Sequence, residues 1–378
     1  MASEPVAGSS ARITLFLCGD AMTGRGVDQI LSHPSDPRLH EPVLKNARGY
    51  VELAEARGGP IERPVDAAYI WGDALAEFAR VSPDVKIINL ETAVTTSSEY
   101  WPGKGIHYRM HPSNVPCLTM AGIDVCVLAN NHVLDWGYAG LRETLETLQR
   151  AGIKTAGAGR DAVEAAAPAL VEVADKGRVA VVALGSETSG IPPAWAASAT
   201  TPGINLLPDL SPRTARALAR AMQAVRRPRT IVVVSLHWGE NWGYRIPRSQ
   251  QAFARMLIDE AGVDVVHGHS SHHPKAIELY RDRPIFYGCG DFLTDYEGIG
   301  GHEAFRGELG LMYFPTLDVL TGRLVHLAMT PTRVARFRVT RALPEEAQWL
   351  GDVLTREGQR FGTRASLTED HGLTLRGP

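Results

Sequence analysis

Four histidines fall within seven positions of the stretch "VVHGHSSHHPKAIE": His267, His269, His272 and His273. An apolar run leads directly into them. Imidazoles gathered this closely ligate a divalent cation, move protons, or stand in nothing more than a polar loop. Suitable partners stand at the ends of other apolar runs. They are Asp20, then Asn89 with Glu91, then Asn130, Asn131 and His132, then His237 with Glu240. In an open α/β sheet, ligands bind just outside the carboxyl ends of the strands. One strand-end Asp is normally a helix cap, and one strand-end His a hydrogen-bonded turn residue. Five endings that each deliver Asp, Glu, Asn or His point instead to one shared metal or acid/base site. The set mixes carboxylate, amide oxygen and imidazole without thiolate, so it suits a hard or borderline divalent cation and not a structural zinc. The oxygen ligands allow Ca²⁺, Mn²⁺ or Mg²⁺, and the histidines favour Mn²⁺, Fe²⁺ or Zn²⁺.

The elements that must position these residues alternate strand with helix. "RITLFLCGD", "DVKIINLET", "GIDVCVLANNH", "RVAVVALGS", "RTIVVVSLHWGEN", "GVDVVHGHSSHH" and "RPIFYGCGDF" are apolar runs of strand length that finish in polar residues. Runs apolar throughout predict strands covered on both faces. Helical stretches lie between them at 138–152, 214–227 and 249–262; the first has Leu141, Leu145 and Leu148 at helical spacing and stops at Gly152. This alternation predicts an α/β fold. Residues 310–343 alternate like antiparallel strands joined by a "TG" turn. Residues 31–66, rich in Pro and charge, read as an insertion, and 344–378 as a terminal helix and tail. With no repeat or clear linker, 1–378 reads as a single domain.

Composition excludes several function classes. The 378 residues are 44% hydrophobic and 21% charged, as in ordinary globular proteins. A formal net charge of −3 gives no basic surface for nucleic acid. No run approaches the ~20 apolar residues needed to span a bilayer, so no membrane partner is expected. The start "MASEPVAGSSARITLFLCGD" lacks the basic segment and cleavage site of a secretion signal. Cys18, Cys117, Cys126 and Cys289 are scattered without CxxC spacing, and Cys18 and Cys126 sit in strand-like runs as buried thiols. A cytoplasmic protein is expected, and its oligomeric state is open.

At the strand ends a family resemblance emerges. "GDAMTGR", "NLET", "ANNHVLDWGYAGLRETLETL", "SLHWGENW" and "GHSSHHPKAIE", in that order, resemble the successive motifs of the CapA family, named for poly-γ-glutamate capsule synthesis. That family is related to calcineurin-like metallophosphoesterases. The resemblance runs from about residue 12 to about 340. It implies an α/β sandwich of two mixed β-sheets flanked by helices, with metal at the strand ends. It also implies Asp20, Glu91, Asn131, His237, His269 and His272 as metal ligands, and His132 as the acid/base histidine. The chain departs from the wider phosphoesterase pattern at two points. Met22 stands where those enzymes carry the histidine of Asp-x-His, and Glu91 where they carry a bridging Asp. Both weaken the first metal position and lead us to expect one firmly held ion. "GDF" replaces the usual "GNF" and puts a carboxylate, Asp291, close to the site, with an ordinary loop cap as the alternative.

Three functions follow as expectations. The first is metal-dependent epimerisation at a peptide Cα. CapA-like proteins in gene clusters for ribosomally made peptides resemble this chain, and the likeness implies action on the C-terminal residue of a lasso-peptide precursor. Proton removal there builds enolate charge that a divalent ion stabilises. His132, His269 and His272, with Asp20, Asp135 or Asp291, would remove one proton and return another; Asp135 either orients His132 or caps the helix beginning near Tyr138. The second is hydrolysis of a phosphoester or of an amide such as poly-γ-glutamate, by metal-acidified water. The third is a capsule-assembly protein without catalysis. Arg25 and Trp238 are candidate substrate contacts: Arg25 as a bidentate anion binder, with a salt bridge as the alternative, and Trp238, with Trp71, Trp136 and Trp242, as pocket lining. His302, on a Gly-rich loop, reads as either a lid residue or a solvated one.

Overall fold

A computed structural model of the chain describes residues 11–377. The polar start of the chain therefore lies outside the described residues. Two large mixed sheets form the framework. In the first, the strand Arg12–Ala21 lies centrally. Val85–Leu90, Val125–Val127 and Lys154–Ala156 follow it in parallel on one side. On the other side Leu309–Asp318 runs antiparallel to it and Leu324–Ala335 antiparallel to Leu309–Asp318, the two joined by the turn containing Thr321-Gly322. In the second sheet, Gly177–Ser186, Thr230–His237, Val265–His269 and Arg283–Phe286 run parallel, with Ile277–Tyr280 and Ala169–Val173 antiparallel to their neighbours.

Side-chain alternation explains the layering. Ile13, Leu15 and Leu17 of the first strand pack against Val179, Val181, Ile231 and Val233 of the second sheet, in an interior between the sheets. The intervening Phe16 and Cys18 face the opposite way, into a core shared with the helices Arg48–Gly58, Asp73–Val81 and Gly137–Arg150. Val182, Leu184, Val232 and Val234 likewise face the helices Pro212–Val225 and Arg248–Ala261. Both faces of the central strands are covered, which accounts for their unbroken apolar runs. Among the described residues, no helix is long and apolar enough to cross a membrane. All four cysteines are buried and unpaired.

Two segments differ from the expectation. Residues 31–66 are built into the first core: Leu31, Leu39, Tyr50, Val51, Ala54, Ile61 and Val65 are all buried there. The C-terminal segment is more than a helix and tail. After the helix Pro344–Gly358, the strands Arg364–Leu367 and Leu373–Arg376 pair as a hairpin and extend the first sheet at its edge. Their side chains are largely half-buried or exposed, so they lack the apolar run that marks a central strand.

The ends of the parallel strands carry the candidate residues. The first strand is irregular at Asp20, where its register with Val85–Leu90 shifts between Leu17 and Asp20. Such a bulge re-aims a side chain. There the short strand Asp291–Leu293 joins in parallel, with Asp20 opposite Asp291. The approach is close: a Cβ on Gly19 would lie 1.6 Å from the Gly290 carbonyl oxygen, which accepts the Asp20 N–H at 3.0 Å. Gly19→Ala must therefore push the two strands apart. We expect it to cost about 3 kcal/mol or more in urea unfolding, the upper end for overpacking; wild-type stability would contradict this role of Gly19.

Candidate metal centre and acid–base cleft

The floor of the site is built from both sheets. Asp20, His237, His269 and Asp291 are each at most 2% exposed. One carboxylate oxygen of Asp20 and one nitrogen each of His237 and His269 lie within 4.8 Å of one another. His237 and His269 are register partners on adjacent strands, with Nδ1 atoms 2.8 Å apart. Asp20 Oδ1 is 3.8 Å from His269 Nδ1, and Glu91 Oε1 is 3.9 Å from His237 Nε2. Ligand atoms around an ion with bonds of ~2.1 Å stand roughly 3–3.5 Å apart, so the spacing suits one divalent cation with small adjustments.

Proton bookkeeping tests the fit. His267 Nε2 lies 2.7 Å from the Cys18 carbonyl oxygen, so Nε2 carries the proton and Nδ1 accepts from the Ser235 hydroxyl at 3.1 Å. The Ser235 oxygen then accepts from His269 Nε2 at 2.8 Å, which leaves His269 Nδ1 as a bare lone pair facing Asp20 and His237. With the Asn131 oxygen placed 2.9 Å from His237 Nε2, a neutral His237 can satisfy only one of its two contacts. The other is lone pair against lone pair. Protonating His237 would satisfy both, but burial holds its pKa well below the ordinary value. A cation removes the conflict, and the donor set fits one.

The carboxylates lead to the same conclusion. Burial, then the charge of Asp291, pushes Asp20 up to about 7. Burial and the charges of Asp20 and Asp291 push Glu91 well up, and burial raises Asp291. Asn89 bridges two of them, donating to Asp20 Oδ1 at 2.8 Å and Glu91 Oε2 at 3.2 Å. Ser270 also aims its backbone N–H at Asp20, 3.2 Å from Oδ2, and holds φ at 95° to do so.

Above this floor opens a cleft of about 290 Å³, lined by Glu91, Lys104, Ile106, Asn131, His132, Asn241, Ser270, His272 and Tyr296. His132 Nδ1 lies 2.7 Å from Asp135 Oδ2 and 3.0 Å from Lys104 Nζ, which turns Nε2 toward Glu91 Oε1, 3.8 Å away. Asp135 thus orients the imidazole; the helix starting at Gly137 receives no side-chain cap from it. The Tyr108 backbone N–H holds the same Asp135 oxygen at 2.6 Å, and Lys104 Nζ pairs with the other. Burial, with Lys104 adding to it and Asp135 opposing, lowers His132 to about 4, so it is neutral at neutral pH. Asn130 fixes the turn by accepting from the His132 and Val133 N–H groups at 3.1 and 3.0 Å.

A model of the bacterial capsule synthesis protein family, PGA_cap, matches residues 14–296. The chain belongs to this family. A "probable polyglutamine synthesis accessory protein" of Mycobacterium tuberculosis is 48% identical over 371 residues, covering 98% of this chain and 97% of the relative. The "capsule biosynthesis protein CapA" of Bacillus anthracis is 25% identical over 284 residues, 75% of this chain and 60% of the relative. The "PGA biosynthesis protein CapA" of Bacillus subtilis is 29% identical over 209 residues, covering 55% and 52%. The span matched by the PGA_cap model holds every candidate ligand from Asp20 to Asp291.

In this PGA_cap chain, Asp20, Glu91, Asn131, His132, His237, His269, His272 and Asp291 come together around one cleft and its floor. Arg25 and Trp238 do not. The Arg25 guanidinium is buried among Asp295, Glu41 and Tyr50, so the salt bridge and not a substrate occupies it. Trp238 is 2% exposed, packs in the core of the second sheet and donates its indole N–H to the Tyr287 carbonyl. Trp71 and Trp136 are also buried; Trp242 alone of the four is half-exposed, 5.3 Å from the His272 ring. His302 is exposed and stacks on Trp242 at 4.0 Å. Lys104 and Tyr296 escaped sequence reasoning because both sit on loops; the only local signal for Lys104 is its place between two glycines.

The raised carboxylates set a pH dependence. Without an ion, ionised Asp20 is penalised in the fold, so its contribution to stability is lost as pH rises from about 4 through about 7. A bound cation removes that penalty and also needs unprotonated ligands. Added Mn²⁺ should therefore raise Tm more at about pH 8 than at about pH 5, in calorimetry on metal-free protein. An ion-induced shift that is absent, or larger at the lower pH, would count against the centre.

Proposed function

We propose that this PGA_cap chain is a metal-dependent hydrolase that acts on the amide bonds of a glutamate-rich chain. One observation carries the reading. His132, oriented by Asp135, opens onto the same cleft whose floor holds Asp20, Glu91, His237 and His269. Asp20, Glu91, Asn131, His237 and His269 would hold the ion. When bound, a divalent cation there polarises a carbonyl oxygen and acidifies water. His132 Nε2 faces the cleft and, being neutral, would take a proton from the attacking water and then give it to the leaving amine, while Asp135 holds Nδ1 and keeps the ring aligned. Lys104, paired with Asp135, brings a cationic head to the cleft wall opposite the single lining carboxylate, Glu91, and gives a carboxylate-bearing substrate one point of attachment. The substrate class is supported by the names of the relatives, which concern capsule and polyglutamine synthesis. We further read the two sheets as a calcineurin-like sandwich acting as one unit, supported by ligands at parallel strand ends in both sheets.

Epimerisation at a peptide Cα is the second reading. Two histidine–aspartate pairs favour it, His132–Asp135 and His272–Asp291, since both histidines line one cleft. Incubation of metal-loaded protein with poly-glutamate and with model peptides in deuterated water separates the two. Hydrolysis gives shorter chains with no deuterium at Cα. An intact chain that gains one deuterium at Cα establishes epimerisation and overturns the hydrolase reading.

His132→Ala should lower turnover about 10²–10⁴-fold, the usual worth of a general acid or base, while metal content stays at the wild-type level. Turnover within threefold of wild type would remove His132 from the mechanism.

A further inference from the structure

The net charge of −3 hides an uneven distribution. Residues 205–262 hold nine Arg against four Asp or Glu, and no acid stands between Asp209 and Glu240. The helix Pro212–Val225 carries much of this charge on one side. Its Thr214, Ala215, Ala219 and Met222 are buried toward the second sheet. Arg213, Arg216 and Arg220, spaced i, i+3 and i+7, form an exposed stripe on the other side, and the exposed Arg226, Arg227 and Arg229 follow it. Only part of this charge is answered. Arg216 pairs with Glu260 at 3.2 Å, Arg226 lies 3.7 Å from Asp264, and Asp209 lies near Arg213. Among the described residues, Arg220 and Arg227 have no ion-pair partner, nor have Arg245 and Arg248. Arg213 and Arg248 stand in the first turns of their helices, and neither turn holds the acid that the helix dipole favours there. Helix stability therefore does not account for the charge.

The fold connects this face to the cleft. The strand Thr230–His237 ends at His237, and the loop behind it passes Asn241 in the cleft wall and Trp242 beside His272 before reaching Arg245 and Arg248. Arg248 opens the helix Arg248–Ala261, which packs beside Pro212–Val225. That second helix also starts at this end of the sheet, since Leu206 and Leu207 just ahead of it pair with Gly185 and Ser186 at the end of their strand. Arg360 reaches the same loop and donates to the Tyr244 carbonyl at 2.9 Å, while Arg356 lies 5.0 Å over the Tyr244 ring. The acids nearby are Glu240 and Glu357, and Glu357 is held by Arg356 and Arg360. We propose that the arginine face from Arg245 and Arg248 across Pro212–Val225 is a docking surface for a polycarboxylate chain, one part of which lies in the cleft. The proposal rests on the hydrolase reading and deepens it. Guanidinium groups pair with carboxylates bidentately. The 14-residue helix is about 21 Å long, the span of about six extended residues. A polymer with a carboxylate on every residue therefore meets several arginines at once, and each pairing after the first is intramolecular. A lipid surface fits less well. The apolar side of the helix is already packed, and Ala217, Ala221, Gln223 and Ala224 between the arginines offer nothing to insert.

The test separates docking from cleavage. Metal-free full-length protein is titrated, in fluorescence anisotropy, with labelled long-chain poly-glutamate and with labelled tri-glutamate. The long chain should bind at least about tenfold more tightly at low salt, and the advantage should shrink as salt is added. A variant combining Arg213→Gln, Arg220→Gln, Arg227→Gln and Arg248→Gln should lose that advantage and bind tri-glutamate as wild type does. Circular dichroism verifies that the variant folds. Poly-glutamate binding that is unchanged in the variant, or indifferent to salt, overturns the docking surface. So does wild-type protein that binds phosphatidylserine vesicles or duplex DNA more tightly than poly-glutamate. Cleavage by the metal-loaded wild type is read separately. Poly-glutamate that docks through these arginines but is never cut overturns the hydrolase and leaves the docking surface standing. Poly-glutamate that is cut, yet bound equally by wild type and variant, removes the docking surface and leaves the hydrolase.

Discussion

Charge compensation is the constraint on which this molecule turns. Asp20, Glu91 and Asp291 are brought into one buried region, and among the described residues no Lys or Arg makes an ion pair with Asp20, whose near partner is the neutral His269 at 3.8 Å. Removing charge from water costs several kcal/mol per ion even after relaxation, and proximity to like charge adds to it. A fold keeps such an arrangement only where something else supplies positive charge. The rest of the centre is arranged around that demand. Neutral histidines present lone pairs, an asparagine bridges two carboxylates, and a strained serine turns its N–H toward Asp20.

The cationic side chains near the centre are used for other ends. Arg25 sits behind the site with φ at 47°, an unfavourable backbone for a non-glycine residue. It lies over the rings of Tyr50 and Tyr108 and pairs with Glu41 and Asp295. These contacts join the 31–66 segment, the Tyr108 loop and the segment after Asp291 to the turn that follows Asp20. The buried ion pairs thus fix where loops stand and do not neutralise the centre. Lys104, in contrast, serves the cleft itself through Asp135.

How much of this was legible in the sequence depends on the kind of element. The apolar runs marked the central strands because those strands are covered on both faces, and their polar ends marked Asp20, Glu91, Asn131, His132, His237 and His269. The C-terminal hairpin was invisible because an edge pair with few buried side chains carries no periodic signal. Arg25 and Trp238 were misread for one reason. Nearness in sequence to a motif says nothing about which face of the backbone a side chain leaves. Arg25 turns into the packing behind the centre, and Trp238 follows His237 by one position and so points to the opposite side of its strand. Lys104 could not be found, since its place at Asp135 arises from the folding of a loop across the strand ends.

The relay from the Cys18 carbonyl through His267 and Ser235 to His269 crosses from one sheet to the other. Each link lies near 3 Å, and such bonds weaken steeply with misalignment. The lone pair offered by His269 is therefore set by a peptide group in the opposing sheet. A slip of one sheet over the other by about an ångström would release the His267 proton from its carbonyl and free His269 to change tautomer. The centre is in this sense a gauge of sheet seating: ligand basicity in one layer reads the position of the other.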